Sequence, residues 1–234
     1  MSVDDDLGLV VEFREARQQD VARRVRLRSP GSAQLDPRSL QSLVLFDPTA
    51  PRRSRSGWWW SSTTGSHVQF TSKSERDCLL VLDGNPSVGW ITHSPVAIRA
   101  AEVQVTPPFG VMLNDGPAFV LSGQSASPEH AGVVLNASQI LGWDVLTIEL
   151  SGTNHMKALK WLAAYRHPRC RSADRVLDLL GAFQQPSPLM ATVGALGPTE
   201  EVLPTLYHLM WVGHLQFDSS DGLRPESLVW TTTP

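Results

Sequence analysis

From Ser72 the apolar residues bunch on one side of a helix: Cys78, Leu79, Leu80 and Leu82 follow a polar entrance at Glu75, Arg76 and Asp77. Farther on they alternate. Val103, Val105, Val111 and Leu113, with NDG at Asn114 to Gly116, are the signature of an antiparallel hairpin. Between Thr71 and Gln124 the pattern therefore predicts one helix and three strands, drawn from NPSVGWITHSPVAIRA, VQVTPPFGVML and PAFVLSGQ. Ser127-Pro128 then opens a second helix that Gly142 closes, and WDVLTIEL is a further strand. A helix–strand crossover of this kind builds a mixed sheet flanked by helices.

Upstream, Val10, Val11 and Phe13, then Val21, Val25 and Leu27, predict two strands. Arg14, Arg17, Arg23, Arg24, Arg26 and Arg28 lie on their outer side, interleaved with Glu12, Glu15 and Asp20 as on a solvated face. Downstream of Asn154 the period is helical: Met156, Leu159, Leu162 and Tyr165 form one stripe, and SADRVLDLLGAF, capped by Ser172, follows. QQPSP is read as a linker before LMATVGALG and PTEEVLPTLYHLMWVG, in which Pro204 should start or kink a helix. HLQFDSSDGLRPESLVWTTT closes the chain as two strands around Asp221-Gly222. Three segments result: 1–40, Arg-rich strands or an extension; 41–153, a mixed-sheet domain; and 154–234, a smaller helical domain.

Composition narrows the class. At 41% hydrophobic and 18% charged, the 234 residues are ordinary globular material with no apolar run long enough to span a bilayer. MSVDDDLG is acidic where a secretory leader is basic, so a cytoplasmic protein is expected. Cys78 and Cys170 have no nearby cysteine partner, and the seven histidines show no zinc-binding spacing, so no metal site is expected. A net charge of −3 argues against coating nucleic acid indiscriminately but leaves room for a local basic face. Arg52, Arg53 and Arg55, beside Trp58, Trp59 and Trp60, are the residues best suited to grip DNA. Successive strand residues face opposite ways, so at least one of the tryptophans packs inward and another faces solvent. Ser72 to Glu75 also spells a capping box, which alone accounts for Glu75.

The ordered framework resembles that of TnsA-like transposase endonuclease subunits, of the restriction-endonuclease-like PD-(D/E)xK superfamily. Trp59, Trp60, Thr63, Thr64 and Gly65 resemble its W-W-x-x-T-T-G segment, and Ser72, Glu75, Arg76 and Asp77 its S-x-x-E-R-D helix. Asn85, Pro86 and Val88 follow, then Pro107, Pro108 and Phe109, the Asp115-Gly116 turn, and Ser122, Gly123 and Gln124. The resemblance implies a restriction-endonuclease-like mixed sheet flanked by helices, a winged-helix carboxy-terminal domain with Thr205 to Gly213 as recognition helix, and work beside a DDE transposase and an AAA+ ATPase. It also implies that Glu75 completes the metal shell. The positions that should hold a metal-anchoring Asp, a second acid and a catalytic cation are Pro108, Ser122 and Gln124. One remaining carboxylate is a poor ligand set for Mg²⁺.

The expectation is therefore a nuclease-fold protein that no longer cuts and needs no cofactor, serving as a DNA- or partner-binding subunit of a transposition-related assembly. Two alternatives stand beside it. One is an active Mg²⁺-dependent endonuclease with relocated ligands, Glu75 with Glu102 or Asp115 and Lys73 as cation. The other is a winged-helix DNA-binding regulator, although Thr205 to Gly213 lacks the Arg and Lys such a helix carries at its groove side.

Overall fold

The structure, a computed structural model, describes residues 8–16, 21–31, 34–44, 56–122, 127–150, 153–218 and 221–232. Its strands are mostly antiparallel and are joined by six α-helices among the described residues, an α+β arrangement. The chain divides into two units. The first takes Met1–Trp59, His67–Leu79 and Ser87–Leu150; the second takes Trp60–Ser66, Leu80–Pro86 and Ser151–Pro234.

Strands β1 (Val10–Glu15), β2 (Arg23–Arg26) and β3 (Leu40–Gln41) open the chain, followed by the ribbon of β4 (Gly57–Ser61) with β5 (Ser66–Phe70) and by helix α1 (Lys73–Asp83). Then come β6 (Val88–His93), β7 (Val96–Ala100), β8 (Val103–Val105), β9 (Phe109–Leu113) and β10 (Gly116–Ser122), helix α2 (Pro128–Leu141) and β11 (Asp144–Ile148). The first unit holds two sheets. One runs β2-β1-β7-β8, with β3 also on β1; the other runs β11-β10-β9-β6, and β10–β11 is its parallel pair. Because β1 pairs with β7 from Val10↔Arg99 to Phe13↔Val96, the amino-terminal strands are part of this unit rather than an appendage.

Alternation explains β1, where Val11 and Phe13 point inward and Glu12 and Arg14 do not. Two of the arginines are matched by acids, Arg23 reaching Glu15 at 3.1 Å and Arg24 reaching Glu12 at 2.6 Å, all four partly or well exposed, whereas Arg14 Nε is buried without a hydrogen-bond partner. This is a solvated strand face; Arg17 lies outside the described residues. Strand β10 is different, buried from Ala118 to Ser122 without alternation, as suits a central strand covered on both faces. Helix α2 packs against β7, β8, β10 and β11 and seals the core through Val133, Val134 and Ala137. Phe119 lies 4.4 Å from Trp143 between ring centroids. At Gly110 a Cβ would stand 2.8 Å from Pro95 and 3.3 Å from Trp143, so this position admits no side chain.

The stretch read as three strands is five. Two of the extra turns are made without glycine: Ser94 (φ 41°) separates β6 from β7, and Ala101 (φ 49°) separates β7 from β8. Neither residue type signals a left-handed turn. The NDG turn sits between β9 and β10, with Gly116 at φ 142°.

In the second unit, α3 (Asn154–Leu162), α4 (Ala173–Ala182), β12 (Ser187–Pro188), α5 (Leu189–Leu196) and α6 (Thr199–Trp211) precede β13 (Leu215–Phe217) and β14 (Leu228–Thr231). The three strands form a sheet in the order β12-β14-β13, so part of the QQPSP segment is a strand and not a linker. The stripe on α3 ends at Leu162; Tyr165 falls in a 3₁₀ turn and joins Trp161 and Tyr207 in an aromatic cluster. Ser172 occupies the N-cap of α4, but its side chain makes no capping bond; its backbone N–H donates to Thr205 Oγ1 at 3.0 Å.

Pro204 neither starts nor breaks α6, which begins five residues earlier at Thr199 and runs through it. A proline in the second turn removes only the bond to the Glu200 carbonyl, and burial of the following turns outweighs that loss. Thr205 through Trp211 are all buried, between 0% and 7% exposed. The proposed recognition helix therefore has no free face along these residues to lay in a DNA groove, because its side chains form the core of the unit.

Trp58, Trp59 and Trp60 are split as alternation requires: Trp58 is exposed, Trp59 buried, and Trp60 half-buried against His167 with ring centroids 5.0 Å apart. Among the described residues no helix is long and apolar enough to cross a membrane.

Candidate functional site

The site lies at the start of α1. Ser72 is the N-cap, its Oγ accepting the Glu75 backbone N–H at 3.1 Å. The Glu75 carboxylate reaches back one residue farther than a standard capping box, accepting from the Thr71 backbone N–H at 2.5 Å and from Thr71 Oγ1 at 2.8 Å. Its Oε2 also stands 3.4 Å from His93 Nε2. Burial alone would raise the Glu75 carboxyl; the hydrogen bonds from His93 and Thr71 and the charge of His93 outweigh it and hold the group below its ordinary value.

His93 ends β6 and is 3% exposed. Its Nδ1 lies 2.9 Å from Ser42 Oγ, whose own proton is donated to the Val44 carbonyl at 2.8 Å. With that proton committed, Ser42 accepts from the ring, so the Ser42–His93–Glu75 chain fixes geometry and does not activate a hydroxyl. Ser94, in its left-handed conformation, turns the chain immediately after His93 and donates its N–H to the Pro108 carbonyl at 2.8 Å. Strain held beside a buried titratable group is a common feature of present or former functional sites.

Glu75, Pro108 and Ser122 line one cavity of about 320 Å³, together with Cys78, Gln104 and His130. Ser122 Oγ lies 3.3 Å from Ser74 Oγ across it. Three of the four positions singled out by the resemblance therefore converge. Gln124, two residues past the end of β10, and Arg52, Arg53 and Arg55 lie outside the described residues. The relocated set is not assembled: Glu102 and Asp115 are exposed on turns, and neither they nor Lys73 line this cavity. Cys78 is buried, and desolvation with the charges of Glu75 and Asp77 pushes its thiol up to about 11, which makes it inert as a nucleophile.

Mg²⁺ needs a near-octahedral shell of hard oxygens. The cavity offers one carboxylate, already accepting bonds from Thr71 and facing His93; its other polar groups, the hydroxyls, the Gln104 amide and the His130 imidazole, carry no negative charge to offset a dication, and Cys78 holds its proton. Among the described residues no group of three or more His, Cys, Asp or Glu is placed to hold a metal ion. This donor set does not fit a divalent cation.

His93 escaped the sequence reading; a lone histidine closing an apolar strand before Ser94-Pro95 is its only trace. The capping role gives a pH prediction. Because the folded Glu75 carboxyl is held low, its contribution is complete above the ordinary glutamate value and is lost as pH falls through the folded one. Glu75→Ala should cost about 1–2 kcal/mol at pH 7 in urea unfolding, and the gap to the parent should narrow below about pH 4. An unchanged gap down to pH 3 would contradict the assignment.

No protein-family model matches the chain, and no curated protein is significantly similar to it.

Proposed function

We propose that the chain is a TnsA-like, restriction-endonuclease-fold protein that has lost metal-dependent hydrolysis and acts in the cytoplasm as a partner- or DNA-binding subunit of a transposition-related assembly, beside a DDE transposase and an AAA+ ATPase. The observation that carries this reading is the convergence of Glu75, Pro108 and Ser122 on one cavity. Those are the seats that a nuclease of this kind fills with acids. Here a pyrrolidine ring and a hydroxyl occupy two of them, and the remaining carboxylate is engaged with Thr71 and His93. Without a bound cation there is neither a lowered water pKa nor a Lewis acid for the phosphoryl oxygen.

The second unit, with helices ahead of a small sheet, is the counterpart of the winged-helix domain in this reading. The burial of Thr205 to Trp211 favours a docking role over groove reading.

The test is direct. Purified full chain should leave supercoiled plasmid intact with Mg²⁺ or Mn²⁺ supplied at concentrations from roughly micromolar to about 10 mM, since a hard-oxygen site is what either ion would need. Nicking that disappears in Glu75→Ala would overturn the reading in favour of an active nuclease.

A further inference from the structure

In the second unit a cavity of about 390 Å³ opens beside α3 and α6. Its floor is apolar, made by Ala158, Leu189 and Met190. One wall is Trp161, 45% exposed, standing edge-on to Tyr207 with ring centroids 4.2 Å apart. Tyr165 lies 5.4 Å from Trp161 and 4.9 Å from Tyr207, so the indole is held by two other rings while one side of it stays open to solvent.

The rim is charged. Lys157 and Arg224 line it against a single acid, Asp221. Lys157 donates to Asn154 Oδ1 at 3.4 Å, and neither Lys157 nor Arg224 makes an ion pair among the described residues. Locally the field is positive, yet from Asn154 onward basic and acidic side chains are equal in number, seven each. A nucleic-acid surface carries a broad excess of cations. This one has two cations around an apolar hole. Exposed Trp, with Tyr, Met and Arg around an apolar pocket that a partner can desolvate, is the composition of a protein hot spot.

We propose that this cavity docks a short acidic segment of a partner protein, one bulky apolar side chain seated on Leu189 and Met190 against Trp161 and flanking carboxylates meeting Lys157 and Arg224. It deepens the partner-binding reading above by giving the partner's chemistry, and it depends on that reading only in taking the partner to be a protein.

Display of random twelve-residue peptides on the full chain tests it, with anisotropy of the selected peptides as the readout. The expected consensus is one Trp, Phe or Leu with Asp or Glu on either side. Trp161→Ala should weaken binding at least tenfold, as should Lys157→Glu combined with Arg224→Glu, whose positions are exposed and whose fold is checked by thermal melting. A selected peptide with its acids changed to lysine should lose affinity for the parent and regain it on the charge-reversed variant. Failure to enrich any peptide, enrichment indifferent to both variants, or binding of oligothymidylate that requires Trp161 would each overturn the proposal. Plasmid nicking bears on none of these outcomes, so either reading can fail without the other.

Discussion

Asp83→Ala should destabilise the second unit by about 3 kcal/mol and lower its melting temperature by about 12–20 °C. Asp83 ends α1, is 4% exposed, and accepts from Ser61 Oγ at 2.7 Å, the Thr63 N–H at 2.9 Å and the Ser62 N–H at 3.2 Å. Those donors belong to the S-S-T-T turn that follows the tryptophans, so one carboxylate holds together two short segments that are distant in sequence. Bonds to a charged acceptor are worth about 1.5–3 kcal/mol each when buried, and truncation leaves two backbone N–H groups without that acceptor.

The same turn is tied from two other directions. Trp211 Nε1 donates to Ser62 Oγ at 2.7 Å, and Arg166 Nε donates to the Trp60 carbonyl at 2.8 Å. Burial lowers the Arg166 guanidinium, and the charge of Asp83 works against that lowering. Removing Asp83 therefore also takes away an anion that favours the half-buried Arg166. Asp83→Asn keeps one acceptor and should lose about half as much in urea unfolding. A loss under 1 kcal/mol for the alanine variant would mean the turn is held by its other bonds alone.

What could be read from the residues was local. The ends of α2 are an example: Ser127 Oγ accepts the His130 N–H at 3.2 Å, Pro128 occupies the first turn, and Gly142 closes the helix at φ 69°. Every part of that device lies within a few positions of the helix it serves. The capping of α1 by Ser72 and Glu75 was legible for the same reason, although the carboxylate settles on Thr71.

Features decided by distant packing were not legible. Ser94 and Ala101 turn the chain in conformations that their side chains do not advertise, so five strands read as three. Pro204 reads as a helix boundary, yet the helix through it is held by a core that surrounds Leu206, Leu209 and Trp211. Asp83 and His93 look ordinary because their partners are remote: Ser61 to Thr63 for the first, Ser42 and Glu75 for the second. At the cavity the reading depended on types of residue at matching positions, and the structure adds that Glu75, Pro108 and Ser122 face one space.

If the proposed nuclease reading holds, placing acids at Pro108 and Ser122 should convert that space into a cation site. In a variant carrying Pro108→Asp and Ser122→Asp, two further carboxylates line the cavity that already holds Glu75. Ser122 is 6% exposed, so without an ion the new charge at that position is buried beside another and should cost about 2–3 kcal/mol. Mn²⁺ relieves that repulsion. Binding on the order of a millimolar or tighter, read from the loss of free-ion paramagnetic resonance signal, is expected for the variant and not for the parent. By linkage, an ion at about one hundred times its dissociation constant returns about 2.7 kcal/mol, so Mn²⁺ should raise the variant's melting temperature and leave the parent's unchanged. Adding Glu75→Gln should weaken the new site, since a neutral amide replaces one of its three anions. Should the double variant neither bind Mn²⁺ nor gain stability from it, convergence on the cavity would not extend to the geometry a metal demands, and descent from a metal-dependent nuclease would lose its main physical support.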